Sequence, residues 1–351
     1  MADSSDILLN AGLFGVAIPA ALAGVGAALG RPIPRAAGPV AALLTGAGYL
    51  IAHTRIVGAV VWPAIDATQW LPFAALTGAI VGAVTVTMSD ALRLGTTAAL
   101  ALRSVGVAAL ALWIARGLLT GPIDAGGTAV WLGSAVVTTG LYVGLDLLVR
   151  SEDRLRGVAG FVATGVIAGA IAAIIALARS AVLGQMVGAA AAAIGGLTIA
   201  VMARVPAPVI RAALAPIALV AGTGLSAALH YAELPSFAFY GFGAAALVVA
   251  AVAWAIASDR LHAATLVGGA AALMATVGFF TARRLEAAAA EYTPAAEGEV
   301  QLDYGYGPSS GDANPAPDAP SGADAAPDPY LDPKLMENWQ PPPAPPDSPA
   351  P

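Results

Sequence analysis

GVAGFVATGVIAGAIAAIIALA, residues 157–178, runs without a charge and is bracketed by Arg156 and Arg179. At 1.5 Å per residue, a helix of this length covers about 33 Å, enough for the ~30 Å hydrocarbon core of a bilayer. A transmembrane barrel strand would instead alternate apolar and polar residues over about ten positions. The run is continuous, so it reads as a membrane-spanning helix.

The rest of the chain repeats the pattern. Of 351 residues, 58% are hydrophobic and 11% are Asp, Glu, Lys or Arg, whereas soluble domains carry about a quarter charged residues. Mean hydropathy is +0.78. Apolar blocks predict ten spans, at 8–29, 36–53, 70–89, 97–116, 128–149, 157–178, 181–203, 209–229, 237–257 and 261–281. The fold class expected is an all-α, polytopic transmembrane bundle. The segment IVGAVVWPA, 56–64, is too short to cross, and reads as an interfacial turn, a re-entrant loop or an extension of helix two. The opening residues lack the basic start of a secretory signal and read as a retained first span.

Charge divides the chain into a transmembrane domain, 1–284, and an acidic, proline-rich, disordered tail, 285–351. All fifteen arginines fall at or before Arg284, while the tail holds one lysine, twelve acids and, within 301–351, fourteen prolines. Such a segment buries too little apolar surface to offset its ordering entropy. Its acidity excludes nucleic acid as a partner. Within it, YLDPKLMENWQ, 330–340, places Leu335, Met336 and Trp339 at helical spacing, either as a partner-docking motif or as a chance cluster. Cysteine is absent, which removes disulfides, thiolate nucleophiles and Cys-ligated metals.

Arginine predicts orientation. Loops after the odd-numbered spans hold nine arginines, with Arg211 at the start of span eight counted among them, and those after the even-numbered spans hold Arg55, Arg116 and Arg179. The positive-inside rule then puts odd loops in the cytoplasm of an inner membrane and both termini outside. Trp62, Trp70, Trp113 and Trp131 fall near the opposite interface, where indole rings favour headgroup depth. Similar loops, SDALRLG at 89–95 and SDRLHAA at 258–264, and two Arg-Pro-x-Pro-type segments after spans one and seven, suggest a parallel duplication of spans one to four as seven to ten.

Few residues offer chemistry. Asp66, after Pro-Ala-Ile, and Asp124, after Pro-Ile, lie in similar settings, and read as helix caps or as a pair able to collect cations or share a proton. Arg103 lies inside span four and Asp146 near the end of span five, at comparable depth on antiparallel neighbours. An arginine near hydrocarbon snorkels or pairs; Asp146 is the expected partner, with Asp90 an alternative. Span topology places His53 and His230 outside. Gln185 would serve an internal polar site or bond a neighbouring helix. There is no metal-ligand cluster, phosphate loop, dinucleotide fingerprint or nucleophile elbow, so no cofactor is expected and no enzyme activity is indicated.

Many spans and few boundary charges suit a permease for a small solute. The alternative is a non-transporting membrane subunit that anchors a larger complex or a second copy. A lipid-modifying enzyme would lack a convincing nucleophile or base. In every case the lipid bilayer is the solvent.

Overall fold

The computed structural model describes residues 12–29, 34–64, 66–119, 125–150, 153–178, 180–255 and 259–291. A helix stands at each of the ten expected positions: α1 Leu13–Leu29, α2 Pro34–Ile56, α3 Ala67–Ala91, α4 Thr96–Leu118, α5 Ala125–Leu148, α6 Arg154–Leu177, α7 Ala181–Met202, α8 Leu214–Tyr231, α9 Ser236–Trp254 and α10 Asp259–Glu291. The first turn of α1, Leu13–Ala17, is a π-helix. A 3-10 segment, Ala207–Ala213, leads into α8. No strand occurs among the described residues. Eight of the helices are long and apolar enough to cross a membrane, with α1 and α9 somewhat shorter. The protein is a polytopic helical membrane protein.

The helices are ordered around α8. Its residues from Leu214 to Ala228 are all buried, and 94% of its apolar window is enclosed, against 17% for α10. Helices α2 to α7 surround it in chain order. α1 packs outside the seam between α2 and α7, and α9 and α10 fill the seam between α5 and α6. This arrangement does not repeat the packing of the first four helices in the last four. α2 and α3 are close neighbours, whereas their expected counterparts α8 and α9 barely meet. The expected duplication is therefore absent from the packing; the echoes lie in loop composition.

Small residues make the crossings close. A Cβ on Gly196 of α7 would collide with the Ala20 carbonyl of α1, and one on Gly82 of α3 with the Ala212 carbonyl ahead of α8. Gly78, one turn before Gly82, lies against Pro216, with a built Cβ only 2.7 Å from its Cα. Where lipid is as apolar as the side chains, such backbone approach supplies the packing that drives association. The spacing alone does not guarantee it: Gly169 meets nothing within 4 Å.

Several boundaries differ from expectation. α2 continues to Ile56, after which residues 57–64 form an irregular, mostly exposed turn. α8 begins later than residue 209 because the 3-10 segment takes its place. α10 runs to Glu291, beyond the expected span edge at 281 and the expected domain boundary at 284. The described residues fall within one compact unit. The cluster Leu335, Met336 and Trp339, read from the sequence as a docking motif or a chance grouping, lies outside the described residues.

One end of the bundle carries Trp62, Trp70, Trp113 and Trp131. Trp62, Trp70, Trp113 and Phe73 form a contiguous cluster, with Trp70 and Trp113 ring centroids 5.5 Å apart. Trp131 Nε1 donates to the Leu112 carbonyl at 2.7 Å. The opposite end holds the start of α4, the end of α5 and the 3-10 segment. These are called below the Trp end and the Arg end.

Candidate functional site

The Arg end contains a buried ionic centre. Arg103 lies two turns into α4, Asp146 in the last turn of α5, and Arg211 in the 3-10 segment. Because α4 and α5 are adjacent and antiparallel, the early residue of one meets the late residue of the other. The 3-10 segment then brings Arg211 inward above the start of α8.

Arg211 is the principal partner. Its Nε donates to Asp146 Oδ1 at 2.9 Å and its Nη2 to Oδ2 at 2.5 Å. This two-pronged arrangement matches the planar guanidinium to the planar carboxylate. Arg103 is more loosely engaged. Its Nη1 is 3.5 Å from Asp146 Oδ1, and its Nε donates to the Ala99 carbonyl at 3.1 Å. Side-chain exposure is 7% for Arg103, 6% for Arg211 and 0% for Asp146.

Among the described residues, two guanidiniums meet one carboxylate, which leaves one excess positive charge at a buried centre. Burying an ion is expensive even when it is paired, and an imperfectly compensated one is more so. Tyr142, one turn before Asp146 on α5, is fully buried within electrostatic reach of all three charged groups. Its hydroxyl has no hydrogen-bond partner among the described residues. A cleft of about 180 Å³ adjoins the 3-10 segment, lined by Asp153, Arg154, Arg204, Val205 and Ala207 among others. Arg154 Nη2 donates to the Met202 carbonyl at its edge.

The other expected residues divide. Asp90 is exposed at the end of α3, and Arg103 pairs with Asp146 instead. Asp66 caps α3: its Oδ1 accepts from the Thr68 hydroxyl at 2.6 Å and the Gln69 backbone N–H at 2.9 Å. Burial works against its charged form, but hydrogen bonds from the Thr68 hydroxyl and the Gln69 and Thr68 backbone, with His53 close by, outweigh that and hold its pKa below the usual carboxylate range. Asp124 lies outside the described residues. Gln185 is exposed on the outer surface of α7 rather than facing an internal site. His53 is at the Trp end, near the end of α2, and is fully buried. No group of three His, Asp or Glu residues able to hold a metal occurs among the described residues.

Sequence reading placed Arg211 with the loop arginines and overlooked Tyr142. The available signal was weak: an arginine shortly after a Pro-x-Pro element, followed by LAPIALVAG without a charge. Comparison with protein-family models, curated proteins and solved structures found no match.

Proposed function

We propose that the protein is a permease for a small anionic solute, with the Arg103–Asp146–Arg211 centre as its recognition site. The supporting observation is the imbalance of charge: Arg211 saturates both oxygens of Asp146, while Arg103 holds only one of them, at 3.5 Å. A carboxylate or phosphate entering from the Arg end would meet the freer guanidinium and offset the surplus charge. Arg154 and Arg204 at the adjoining cleft would raise the local anion concentration. The arginine bias of the loops makes this end cytoplasmic.

The test is uptake by the full chain in liposomes, screened with small carboxylates and inorganic phosphate. Saturable uptake of one anion, lost on Arg103→Gln with the melting temperature retained, is the expected result. If the screen yields no anion that enters faster than into protein-free liposomes, the permease reading fails.

A second reading, a non-transporting membrane subunit, is favoured by the tightness of the packing. Near mid-depth, the cavity at Thr45 and Tyr49 is only about 10 Å³. Mild-detergent purification followed by mass spectrometry separates the two. The subunit reading requires a stoichiometric protein partner, and a chain that purifies alone speaks against it.

A further inference from the structure

The cleft of about 180 Å³ at the Arg end is built from three pieces of chain: the start of α6, the end of α7 and residues 205–207 that lead into the 3-10 segment. It is separate from the ionic centre, since none of Arg103, Asp146 and Arg211 lines it. It is far roomier than the ~10–15 Å³ that holds a single water. Two of its walls are arginines from different elements, Arg154 and Arg204, and both are exposed.

Neither arginine is neutralised by a carboxylate: no acidic side chain lies within ion-pair distance of either among the described residues. Arg154 donates from Nη2 to the Met202 carbonyl. A guanidinium has five N–H donors, so this bond tethers the group at the end of α7 and leaves the other donors for a ligand. The acid in the wall, Asp153, is engaged as the cap of α6, where it accepts from the Arg156 backbone N–H at 2.9 Å. Two cations and one anion leave the wall of the cleft with a positive excess.

The backbone gives no reason of its own for an arginine at 204. Arg204 has φ +71°, in the left-handed region. Its N–H donates to the Val201 carbonyl, and the Val205 N–H to the Ala200 carbonyl, each at 3.0 Å. This pair of bonds closes a helix, and its left-handed position ordinarily belongs to glycine, which has no Cβ to clash. Arg93 closes α3 at the same end in the same way, with φ +51° and the Leu94 N–H on the Ser89 carbonyl at 2.9 Å. Cap geometry thus accounts for a glycine at 204, and the guanidinium answers to something outside the helix.

The rim indicates what that is. Leu155 follows Arg154 on α6, and Ile199 and Met202 stand on the last turn of α7; they are 53%, 65% and 54% exposed. In a bilayer such side chains meet acyl chains, while the helix ends lie at headgroup depth. We propose that this cleft binds the phosphodiester of an anionic phospholipid, with Arg154 and Arg204 on its oxygens and its acyl chains against Leu155, Ile199 and Met202. Guanidinium and phosphate match through paired N–H···O bonds, and basic pockets between spans suit anionic headgroups. A lipid of net negative charge offsets the excess in the cleft; a zwitterionic one, which brings its own ammonium, does not.

The test follows the melting temperature of the full chain, delipidated in a neutral detergent. It is titrated with phosphatidylglycerol, with phosphatidylcholine of the same acyl chains, and with inorganic phosphate. Phosphatidylglycerol should raise the melting temperature saturably and phosphatidylcholine should not. Arg204→Gly suits the left-handed cap, so without lipid it should melt at or above the wild-type temperature. It should nevertheless need at least about fivefold more phosphatidylglycerol for half the rise. Arg93→Gly makes the same change outside the cleft and should respond as wild type does. Equal protection by phosphatidylcholine, an unchanged lipid response in Arg204→Gly, or equal loss in both glycine variants overturns the proposal. So does a rise with inorganic phosphate that Arg204→Gly abolishes, which would mark a site for free anions. The inference does not rest on anion transport: Arg103→Gln, expected to abolish uptake, should keep the lipid response in full.

Discussion

At the scale of residues, the molecule concentrates its electrostatic risk at Asp146. Removing this carboxylate leaves two buried guanidiniums facing each other, whereas removing Arg103 leaves the Asp146–Arg211 fork intact. Breaking a buried pair costs about 3–5 kcal/mol. Asp146→Ala should therefore lower the melting temperature in detergent well below that of Arg103→Ala, and equal melting of the two would show that Arg211 is not the main partner. Asp66 gives a milder effect. Loss of its cap in Asp66→Ala should cost about 1 kcal/mol. Since folding lowers the Asp66 pKa, its ionic contribution is fully present above the unfolded value of about 3.9 and is lost as pH falls through the folded value. The gap in stability between wild type and Asp66→Ala should accordingly narrow on acidification below about pH 4. The Arg103–Asp146 meeting was legible in the sequence because both residues belong to neighbouring spans at matched depth. Arg211 was not, because a 3-10 segment turns an apparent loop arginine inward. Burial of His53 was hidden for a related reason: span topology fixes depth but not which side of a helix faces its neighbours.

At the scale of elements, ten apolar blocks gave ten helices because twenty-residue runs leave the backbone no partner in lipid except itself. The edges moved where side chains intervene, as at α3, which starts where Asp66 accepts from Gln69. Which glycines matter was not legible, since Gly spacing is frequent throughout. Only the packing separates Gly196, pressed on the Ala20 carbonyl, from its neighbour Gly195, which meets nothing within 4 Å. Gly196→Ala should thus separate α1 from α7 and cost about 1–3 kcal/mol, the usual penalty for overpacking. Gly195→Ala should melt as wild type does. Thermal unfolding of the two variants in the same detergent checks the contrast.

At the scale of the whole molecule, the alternation of loops follows from the helices, but their sidedness follows from charge. The absence of cysteine permits a direct test. A thiol introduced by Leu92→Cys, in the turn after α3, should react with an impermeant reagent only after cell lysis, while Ala59→Cys, after α2, should react in intact cells. The reverse pattern would invert the orientation. The order of helices around α8 could not be read from the chain, because hydropathy treats a lipid-facing span and a fully enclosed one alike.

The axial position of α8 also constrains biosynthesis. The six helices that enclose it are translated earlier, so the ring is complete around its axis only once the eighth segment has been made. The seam beside α5 and α6 is covered by α9 and α10, which are made only after α8. A ribosome stalled before α9 would hold a nascent chain with its axle in place and its side still open.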